Sequence, residues 1–423
     1  MSRTLVSLRR MLLVVGIALG TGLVSAFFLT ALARTTQLWD DYPLLIWGLP
    51  LAGFLMAAVY RGWGAPAAPG TALIIDAVHD PVAHPVPLRM MPLILGSTLL
   101  THLCGGSAGR EGTAVQMAGS IAGAVIRWLR IDTHDARLLM MAAISAGFAS
   151  VFGTPLAGMV FGMEVLASGV VRMKAAFLCL LSAIVGDATV RMLGVGHAAY
   201  PLLAPSLSPS LMGWSVVAGV VFAVVVVVYI ELHHAVGVVA QRFLDDARWR
   251  TAAGGAVIVG LTYLSGTTAY NGLGLPLLTA AFSADGVPLW AFAYKMLFTA
   301  ITLGVGFKGG EVTPLFVIGA TAGATLGHVI GVPMEVMAAL GFVAVFGAAT
   351  RTPLTCVLLG VELFGAGLLV PVAIAVIVAV ACVGKRGVYQ TQRVSVLQRE
   401  LDAALQWQTL QHVRTQRRQF WDD

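Results

Sequence analysis

Apolar segments recur along almost the entire chain, and this pattern restricts the fold more than any other feature. Their approximate ranges are 11–34, 43–60, 91–104, 114–129, 137–152, 155–168, 175–193, 214–240, 252–266, 289–305, 313–330, 334–347, 353–364 and 368–383. Only 11% of the 423 residues are charged, less than half of the roughly 25% that is usual in a soluble domain. The sequence therefore predicts an all-α polytopic membrane protein.

The net charge of +6 is concentrated at the two ends of the chain. Residues 1–10 contain three arginines, and residues 384–423 carry a further basic excess. Because basic flanking segments stay on the cytoplasmic side, we expect both termini to be cytoplasmic in a multi-pass protein of the inner (plasma) membrane. The tail can contact lipid head groups, and the lack of a basic stripe elsewhere argues against a nucleic-acid partner.

The two halves of the chain carry the same motifs in the same order. The matching pairs are 109–113 with 309–313, 147–153 with 341–347, 154–156 with 352–354, and Glu164 with Glu362. We therefore expect a first transmembrane repeat at 1–205, a second at 206–390 and a basic cytoplasmic tail at 391–423. Repeats of this kind in transporters often pack with inverted topology, with the substrate at their interface.

Several apolar segments are shorter than the roughly 20 residues that a membrane-spanning helix needs. Glycine-rich breaks separate them, which indicates helices that stop part-way through the membrane. Three breaks are typical of helix starts, at 70–74, 109–113 and 309–314. A helix start presents unpaired N–H groups and the positive end of the helix dipole, so it can hold an anion without a full positive charge.

Glu111 lies at one of these breaks, where an acidic side chain costs about 2.5–3.5 kcal/mol and therefore indicates a function. Its carboxylate can occupy the anion site itself. Protonation would neutralise and release it, so one side chain could act as both gate and proton carrier. The alternative is a structural salt bridge from Glu111 to Arg110 or to another arginine.

The ordered motifs resemble the CLC family of chloride channels and anion/proton antiporters over about residues 10–392. The residues that carry the resemblance are 109–112, 155–158, 161–164, Lys295, Thr299, Gly304, 309–314, 351–355, Glu362 and Tyr389. It implies a CLC-type fold with two inverted-topology repeats and broken re-entrant helices, assembled as a homodimer. It further implies that Glu111 is the external gating glutamate and Tyr389 the inner-gate tyrosine.

Four departures from the chloride type are similar to the fluoride-exporting branch of this family. Thr113 stands where chloride members usually have proline, and Gly-Thr-Ala-Leu-Ile at 70–74 stands where they have Gly-Ser-Gly-Ile-Pro. Val165 occupies the position of the proton-transfer glutamate of chloride/proton exchangers. Glu311 and Thr313 stand where chloride members have apolar residues, and their counterparts in the fluoride branch are associated with ion transport.

The resemblance therefore implies a transporter that exports fluoride in exchange for protons, with fluoride resistance as the result. It implies neither an enzyme nor a cofactor or metal. The expected anion-binding residues are Thr71, Gly112, Thr113, Glu311, Val312 and Tyr389. Fluoride is strongly hydrated, so its transfer needs dense hydrogen-bond donors, which backbone N–H groups and these hydroxyls can supply.

Some interpretations stay open at this point. Thr71 differs from the methionine or asparagine of the fluoride branch, and Glu311 could instead pair structurally with Lys308 or Arg110. A chloride/proton antiporter or a passive halide channel of the same fold fits the same motifs.

A remote alternative is an intramembrane serine protease, because Gly-Gly-Ser-Ala-Gly at 105–109 satisfies a nucleophile-elbow pattern. It would need a histidine such as His328 to face Ser107. His233 and His234 are adjacent in the sequence. Their spacing is not that of metal ligands, and we interpret them as interfacial or solvated histidines.

Overall fold

The structure is a computed structural model in which residues 3–166, 173–283 and 285–393 are described, with side chains from residue 7 onward. This part of the chain forms sixteen α-helices. In chain order, α1 to α16 span Arg3–Asp41, Leu49–Arg61, Thr71–His79, Met90–Leu103, Glu111–Trp128, Thr133–Phe152, Pro155–Glu164, Ala176–Met192, Pro209–Phe243, Ala247–Ser265, Leu275–Ala281, Ala291–Gly304, Val312–Ile330, Met334–Thr350, Pro353–Phe364 and Leu369–Val383. The predicted tail lies outside the described residues from 394 onward.

Within the described ranges, seven helical stretches are long and apolar enough to cross a membrane. They are Ser7–Asp41, Pro43–Arg61, Thr133–Phe152, Met173–Met192, Pro209–Phe243, Val312–Ile330 and Ala366–Val383. Four further apolar helices, α4, α12, α14 and α15, are only 10–17 residues long. The mixture of long and short helices agrees with the expectation of interrupted spans.

Polar residues and glycines at the helix ends explain where the helices begin and stop. The carboxylate of Asp132 accepts hydrogen bonds from the N–H groups of His134 and Asp135, which caps the start of α6. The same helix ends at Gly153, whose φ of 72° suits glycine because this left-handed conformation is costly for other residues. Asp246 caps α10 in the same way, by accepting from the N–H of Arg248.

The core of the second repeat depends on small residues that let two helices approach closely. A Cβ atom added to Gly319 on α13 would lie 2.1 Å from the carbonyl oxygen of Gly341 on α14. The ring of Phe316 stacks on that of Phe342 nearby, with centroids 3.9 Å apart. Glycine contacts of this kind stabilise helix pairs in membranes, where lipid removes most of the hydrophobic driving force.

Two glutamates join the halves of the molecule by capping each other's short helices. The carboxylate of Glu164, at the end of α7, accepts from the N–H groups of Leu354 and Thr355 at 3.0 and 2.8 Å, at the start of α15. The carboxylate of Glu362 on α15 accepts from the N–H groups of Leu156 and Ala157 at 2.9 and 2.8 Å, at the start of α7. The predicted sequence match between Glu164 and Glu362 is thus also a structural match.

Candidate functional site

Helix starts from distant parts of the sequence border one cavity, as the glycine-rich breaks predict. Helices α3, α5 and α13 begin at Thr71, Glu111 and Val312. Gly70, which precedes α3, has a φ of 62°, a conformation that glycine adopts without steric cost. The cavity has a volume of about 310 Å³. Its lining includes Tyr60, Gly70, Thr71, Gly112, Gln116, His233, Lys308, Gly310, Glu311 and Tyr389.

The two matching breaks contact each other directly through their backbones. Gly109 and Gly310 form an isolated antiparallel bridge. The N–H of Gly310 donates to the carbonyl oxygen of Gly109 at 2.8 Å, and the reciprocal N–O distance is 2.5 Å. A Cβ atom on Gly310 would lie 2.9 Å from the backbone nitrogen of Gly112, so only glycine fits here. The bridge fixes the starts of α5 and α13 side by side.

The carboxylate of Glu111 lies at the N-terminus of α13, which belongs to the other repeat. The N–H of Thr313 donates to its Oε2 at 3.0 Å, and the Thr313 hydroxyl lies 2.7 and 2.5 Å from Oε1 and Oε2. Glu111 is 1% exposed. These contacts satisfy an N–H group that a helix start leaves unpaired, and the helix dipole favours the negative charge.

Arg110 also contacts this carboxylate, so the alternative salt bridge is present alongside the helix-start contacts. The Nε of Arg110 lies 3.5 Å from Oε1 of Glu111, and the N–H of Arg110 donates to Oε2 at 3.2 Å. The shorter contacts all come from Thr313. The carboxylate therefore occupies a site made mainly of hydrogen-bond donors at a helix start, with an arginine at its edge.

The remaining expected anion-binding residues divide into two groups. Thr71, Gly112, Glu311 and Tyr389 line the cavity, and Val312 is buried directly behind it as the first residue of α13. Thr113 differs, because its hydroxyl lies 2.8 Å from the hydroxyl of Thr98 on α4 and the residue is fully buried. In this conformation the hydroxyl of Thr113 serves the contact between α4 and α5.

Thr71 is held by a residue that the motifs did not single out. The amide of Gln116 donates from Nε2 to the Thr71 hydroxyl oxygen at 3.2 Å. A hydroxyl oxygen that accepts this bond still has its own proton to donate to a ligand in the cavity. Because Gln116 lies on α5, five residues after Glu111, it connects the first helix start to the second.

Glu311 contacts neither Lys308 nor Arg110, the partners that a structural role predicted. Its Oε1 lies 3.7 Å from Nδ1 of His233 on α9, and its Oε2 is buried without a hydrogen-bond partner among the described residues. Both side chains are about a quarter exposed, at 25% and 26%. His233 is therefore a partly exposed residue of the cavity lining.

Lys308 supplies a positive charge to the same cavity. Its ammonium nitrogen lies 4.7 Å from the centroid of the Tyr60 ring and donates to the carbonyl oxygen of Ala68 at 3.1 Å. Neither contact neutralises the charge, although the ring stabilises it through a cation–π interaction. The cation is thus positioned to attract anions from the solution that enters the cavity.

Ser107 and Val165 both pack in the interior of the protein, away from the cavity lining. The hydroxyl of Ser107 lies 2.9 Å from that of Thr299, and Ser107 is fully buried. His328 is exposed near the end of α13, so it does not supply the base that a serine protease requires. Val165 is 2% exposed and packs in the hydrophobic core.

Comparison with known proteins identifies the family of this chain. The family described as voltage gated chloride channel matches residues 52–384. A protein of Pseudomonas syringae pv. tomato named "Chloride/fluoride channel protein" is 43% identical over 386 residues, which cover 89% of this chain and 85% of the relative. The chain belongs to the voltage-gated chloride channel family. It is a multi-pass membrane protein, and the family consists of channels and transporters.

Two solved structures of CLC proteins share the fold. The crystal structure of a CLC-type fluoride/proton antiporter superposes with a TM-score of 0.89 at 32% identity and covers 93% of this chain and 100% of that chain. A slow cyanobacterial Cl⁻/H⁺ antiporter has a TM-score of 0.77 at 21% identity, with coverage of 94% and 98%. The predicted CLC-type fold is therefore confirmed. A more distant CLC relative, the H⁺/Cl⁻ exchange transporter ClcA of Yersinia pestis, is 27% identical over 351 residues, or 76% of this chain and 72% of the relative.

Proposed function

We propose that this protein exports fluoride across the inner membrane in exchange for protons and thereby confers fluoride resistance. The observation that carries the proposal is the position of Glu111, whose carboxylate accepts hydrogen bonds from the N–H and hydroxyl of Thr313 at the start of α13. A carboxylate that occupies a helix start holds the place that a dehydrated anion would take.

Proton and anion then compete for the same donors. When Glu111 accepts a proton it loses its charge, so its attraction to the N-terminus of α13 falls and the side chain can leave. A fluoride ion enters and accepts from the same N–H and hydroxyl of Thr313. When fluoride departs and Glu111 loses the proton on the other side, the carboxylate returns to the helix start. Exchange follows because the two ligands exclude each other.

Glu311 and Thr313 are the proposed coupling residues, and the cavity hydroxyls are the proposed fluoride ligands. Fluoride is a strong hydrogen-bond acceptor, and removal of its water demands charge-assisted or closely spaced donors. Thr71, Thr313 and Tyr389 can each donate a hydroxyl proton, and a protonated Glu311 can donate one more. The fluoride specificity is also supported by the names of the Pseudomonas relative and of the antiporter structure that shares 32% of the sequence.

The test is a flux assay with purified protein in lipid vesicles, with a fluoride electrode, a chloride electrode and a pH-sensitive dye. We expect fluoride efflux at least tenfold faster than chloride efflux, and uphill fluoride movement when a proton gradient is imposed. Protein-free vesicles and vesicles with the Glu111→Gln variant are the controls. Equal fluxes of the two halides would refute the selectivity.

A passive halide channel of the same fold is the second candidate, because the Pseudomonas relative is named a channel and Val165 carries no proton. A chloride/proton antiporter is the third, since the Yersinia relative is named an H⁺/Cl⁻ exchange transporter. Fluoride flux that a proton gradient cannot drive uphill identifies the channel. Proton-driven chloride movement at the rate of fluoride movement identifies the chloride antiporter.

We further propose a homodimer with two transmembrane repeats per subunit, 1–205 and 206–390, and with both termini and the tail 391–423 in the cytoplasm. The matched helix pairs α5 with α13 and α7 with α15 support the two repeats. The proposal also treats the protein as a transporter without enzymatic activity, cofactor or nucleic-acid partner. Cross-linking in membranes tests the dimer, and labelling of a cysteine placed in the tail, from one side of the membrane at a time, tests the orientation.

A further inference from the structure

His233 is the strongest feature that the proposed mechanism leaves unused. It lies on α9, far in sequence from both breaks, and its Nδ1 is 3.7 Å from Oε1 of Glu311. It is ten residues before the end of α9 at Phe243, on the order of 15 Å along the helix at 1.5 Å per residue. The imidazole thus lies beside the partly exposed carboxyl group of Glu311, on a long membrane-spanning helix.

The surroundings of Glu311 give this imidazole a chemical role. Oε2 of Glu311 is buried without a hydrogen-bond partner among the described residues. An ionised carboxylate with one unpartnered oxygen is unfavourable in a low-dielectric site, and a proton on the carboxyl group or on the adjacent histidine relieves the cost. Glu311 and His233 are therefore a pair between which a proton can be shared.

Several other titratable groups lie near His233. Tyr60, Lys308 and Tyr389 share the cavity wall with it, and the ring of Tyr229 lies 6.0 Å away on the same helix. Glu231, two residues earlier on α9, is paired with Arg386 at 3.4 Å.

The cavity that contains this pair opens at the surface of the protein. Two of its lining residues, Pro69 and Gln390, are exposed at the surface, and His233 itself is 26% exposed. A proton released by the imidazole therefore reaches solution without crossing the hydrophobic core. Val165 offers no such exit, because a valine side chain holds no proton and this one is buried.

We propose that His233 is the proton relay between Glu311 and the aqueous cavity. Because 3.7 Å is too long for a direct hydrogen bond, protonated Glu311 transfers its proton through one cavity water to Nδ1 of His233, which leaves a carboxylate and an imidazolium. The imidazolium then releases one proton to cavity water. The reverse sequence loads Glu311. The inference rests on the proposed exchange of fluoride for protons and names the group that completes it. In this role His233 moves protons and makes no contact with fluoride.

The test compares His233→Gln with His234→Gln. The control variant removes the next histidine on α9, which is not part of the cavity lining. Both variants are reconstituted in vesicles beside the wild type, and proton and fluoride fluxes are measured while the pH on the cavity side is varied from 5 to 8. We expect proton flux to fall at least tenfold in His233→Gln, with loss of most of its dependence on the pH of the cavity side. The His234→Gln variant should keep the wild-type rate and profile.

A second variant separates proton transfer from a structural role. His233→Gly leaves space at the cavity wall, and we expect added imidazole to restore proton flux several-fold in this variant, more strongly than a buffer of equal strength that is too large to enter. Wild-type rates and pH profile in His233→Gln would overturn the relay while leaving the proposed exchange intact. Equal losses in both histidine variants, or failure of imidazole to rescue, would also overturn it. A wild-type protein that moves no fluoride would refute the proposed function itself.

Discussion

The molecule contains two pairs of matching glutamates, and the two pairs behave differently. Glu164 and Glu362 are symmetric, since each carboxylate accepts from two backbone N–H groups at the start of the helix that carries the other. Glu111 and Glu311 occupy equivalent positions in the repeated motifs but are asymmetric. Glu111 accepts from the start of α13, whereas Glu311 lies against His233 in the cavity.

This difference indicates that Glu164 and Glu362 have a structural role, whereas Glu111 and Glu311 are suited to the proposed transport. A symmetric pair holds both short helices at once, because every oxygen has a donor and neither carboxylate gains from moving. In the asymmetric pair, the carboxylate of Glu111 occupies a helix start that can bind an anion. The carboxylate of Glu311 has one oxygen without a hydrogen-bond partner among the described residues. This asymmetry supports the proposal that Glu111 and Glu311 change protonation state during transport, whereas Glu164 and Glu362 do not.

The largest effect is expected for Glu111→Gln. The amide cannot carry a charge or a proton, so we expect proton flux to fall at least a hundredfold and fluoride flux to lose its response to a proton gradient. In the wild type, fluoride exchange should rise as pH falls, because protonation frees the start of α13. The profile of the variant should be flat. A variant that still drives fluoride uphill with protons would remove Glu111 from its proposed role.

Glu311→Gln should lower the proton flux and the fluoride flux by about tenfold. Glutamine cannot exchange a proton with His233, but the contacts of Glu111 with Thr313 remain. The matched control is Glu335→Gln, which removes an exposed glutamate at the start of α14. Fluoride and proton rates come from the same vesicle assay. If Glu311→Gln reduced thermal stability without changing the rates, Glu311 would belong with the symmetric glutamates, and the comparison would fail.

Lys308→Gln should have a smaller effect, a roughly threefold loss of fluoride flux at low salt. The lysine attracts anions to the cavity without touching Glu111, and long-range attraction of this kind is screened by salt, with a Debye length of about 10 Å at 0.1 M. We therefore expect the defect to shrink in 0.5 M sodium gluconate. Replacement of the exposed Lys174 by glutamine is the control. A defect that does not depend on salt would point to a packing role against Tyr60.

Glu164→Gln and Glu362→Gln should change transport least. We expect an unchanged ratio of proton to fluoride flux and a lower melting temperature, because the glutamine NH₂ would face backbone donors. Hydrogen bonds to charged groups contribute about 1.5–3 kcal/mol each, so loss of even one should be measurable. The loss should be greater for Glu164, which is fully buried and also accepts from the Thr355 hydroxyl at 2.7 Å. A coupling defect in either variant would erase the distinction between the two pairs.

Much of the fold could be predicted because it depends on local signals. Glycine-rich breaks predicted helix starts within 70–74, 109–113 and 309–314, and the structure has helices that begin at Thr71, Glu111 and Val312. The sequence match between 109–113 and 309–313 predicted a repeat with the substrate at the interface of its halves, and the structure shows the two breaks in direct contact, with Glu111 bonded to Thr313. The repeated motifs could not reveal that Glu311 takes a different partner.

The partners that sequence reasoning missed are brought together only by tertiary packing. His233 lies on α9, a valine-rich helix that is separated in the chain from Glu311 by the three helices α10, α11 and α12. The available signal was the histidine itself, because a titratable residue within an apolar helix is a functional candidate. Thr98 and Gln116 gave no such signal. Both are ordinary polar residues whose contacts with Thr113 and Thr71 depend on how α3, α4 and α5 pack.

The bridge between Gly109 and Gly310 has a mechanical consequence. Two reciprocal hydrogen bonds, at a point where an added Cβ would strike backbone, couple the starts of α5 and α13 so that neither can shift alone. The backbone at the proposed ion site, which comes from both halves of the chain, is then expected to stay rigid. Access to it would be controlled by side chains that swing in and out of a fixed opening, and the protein could transport ions without large rearrangements of its helices.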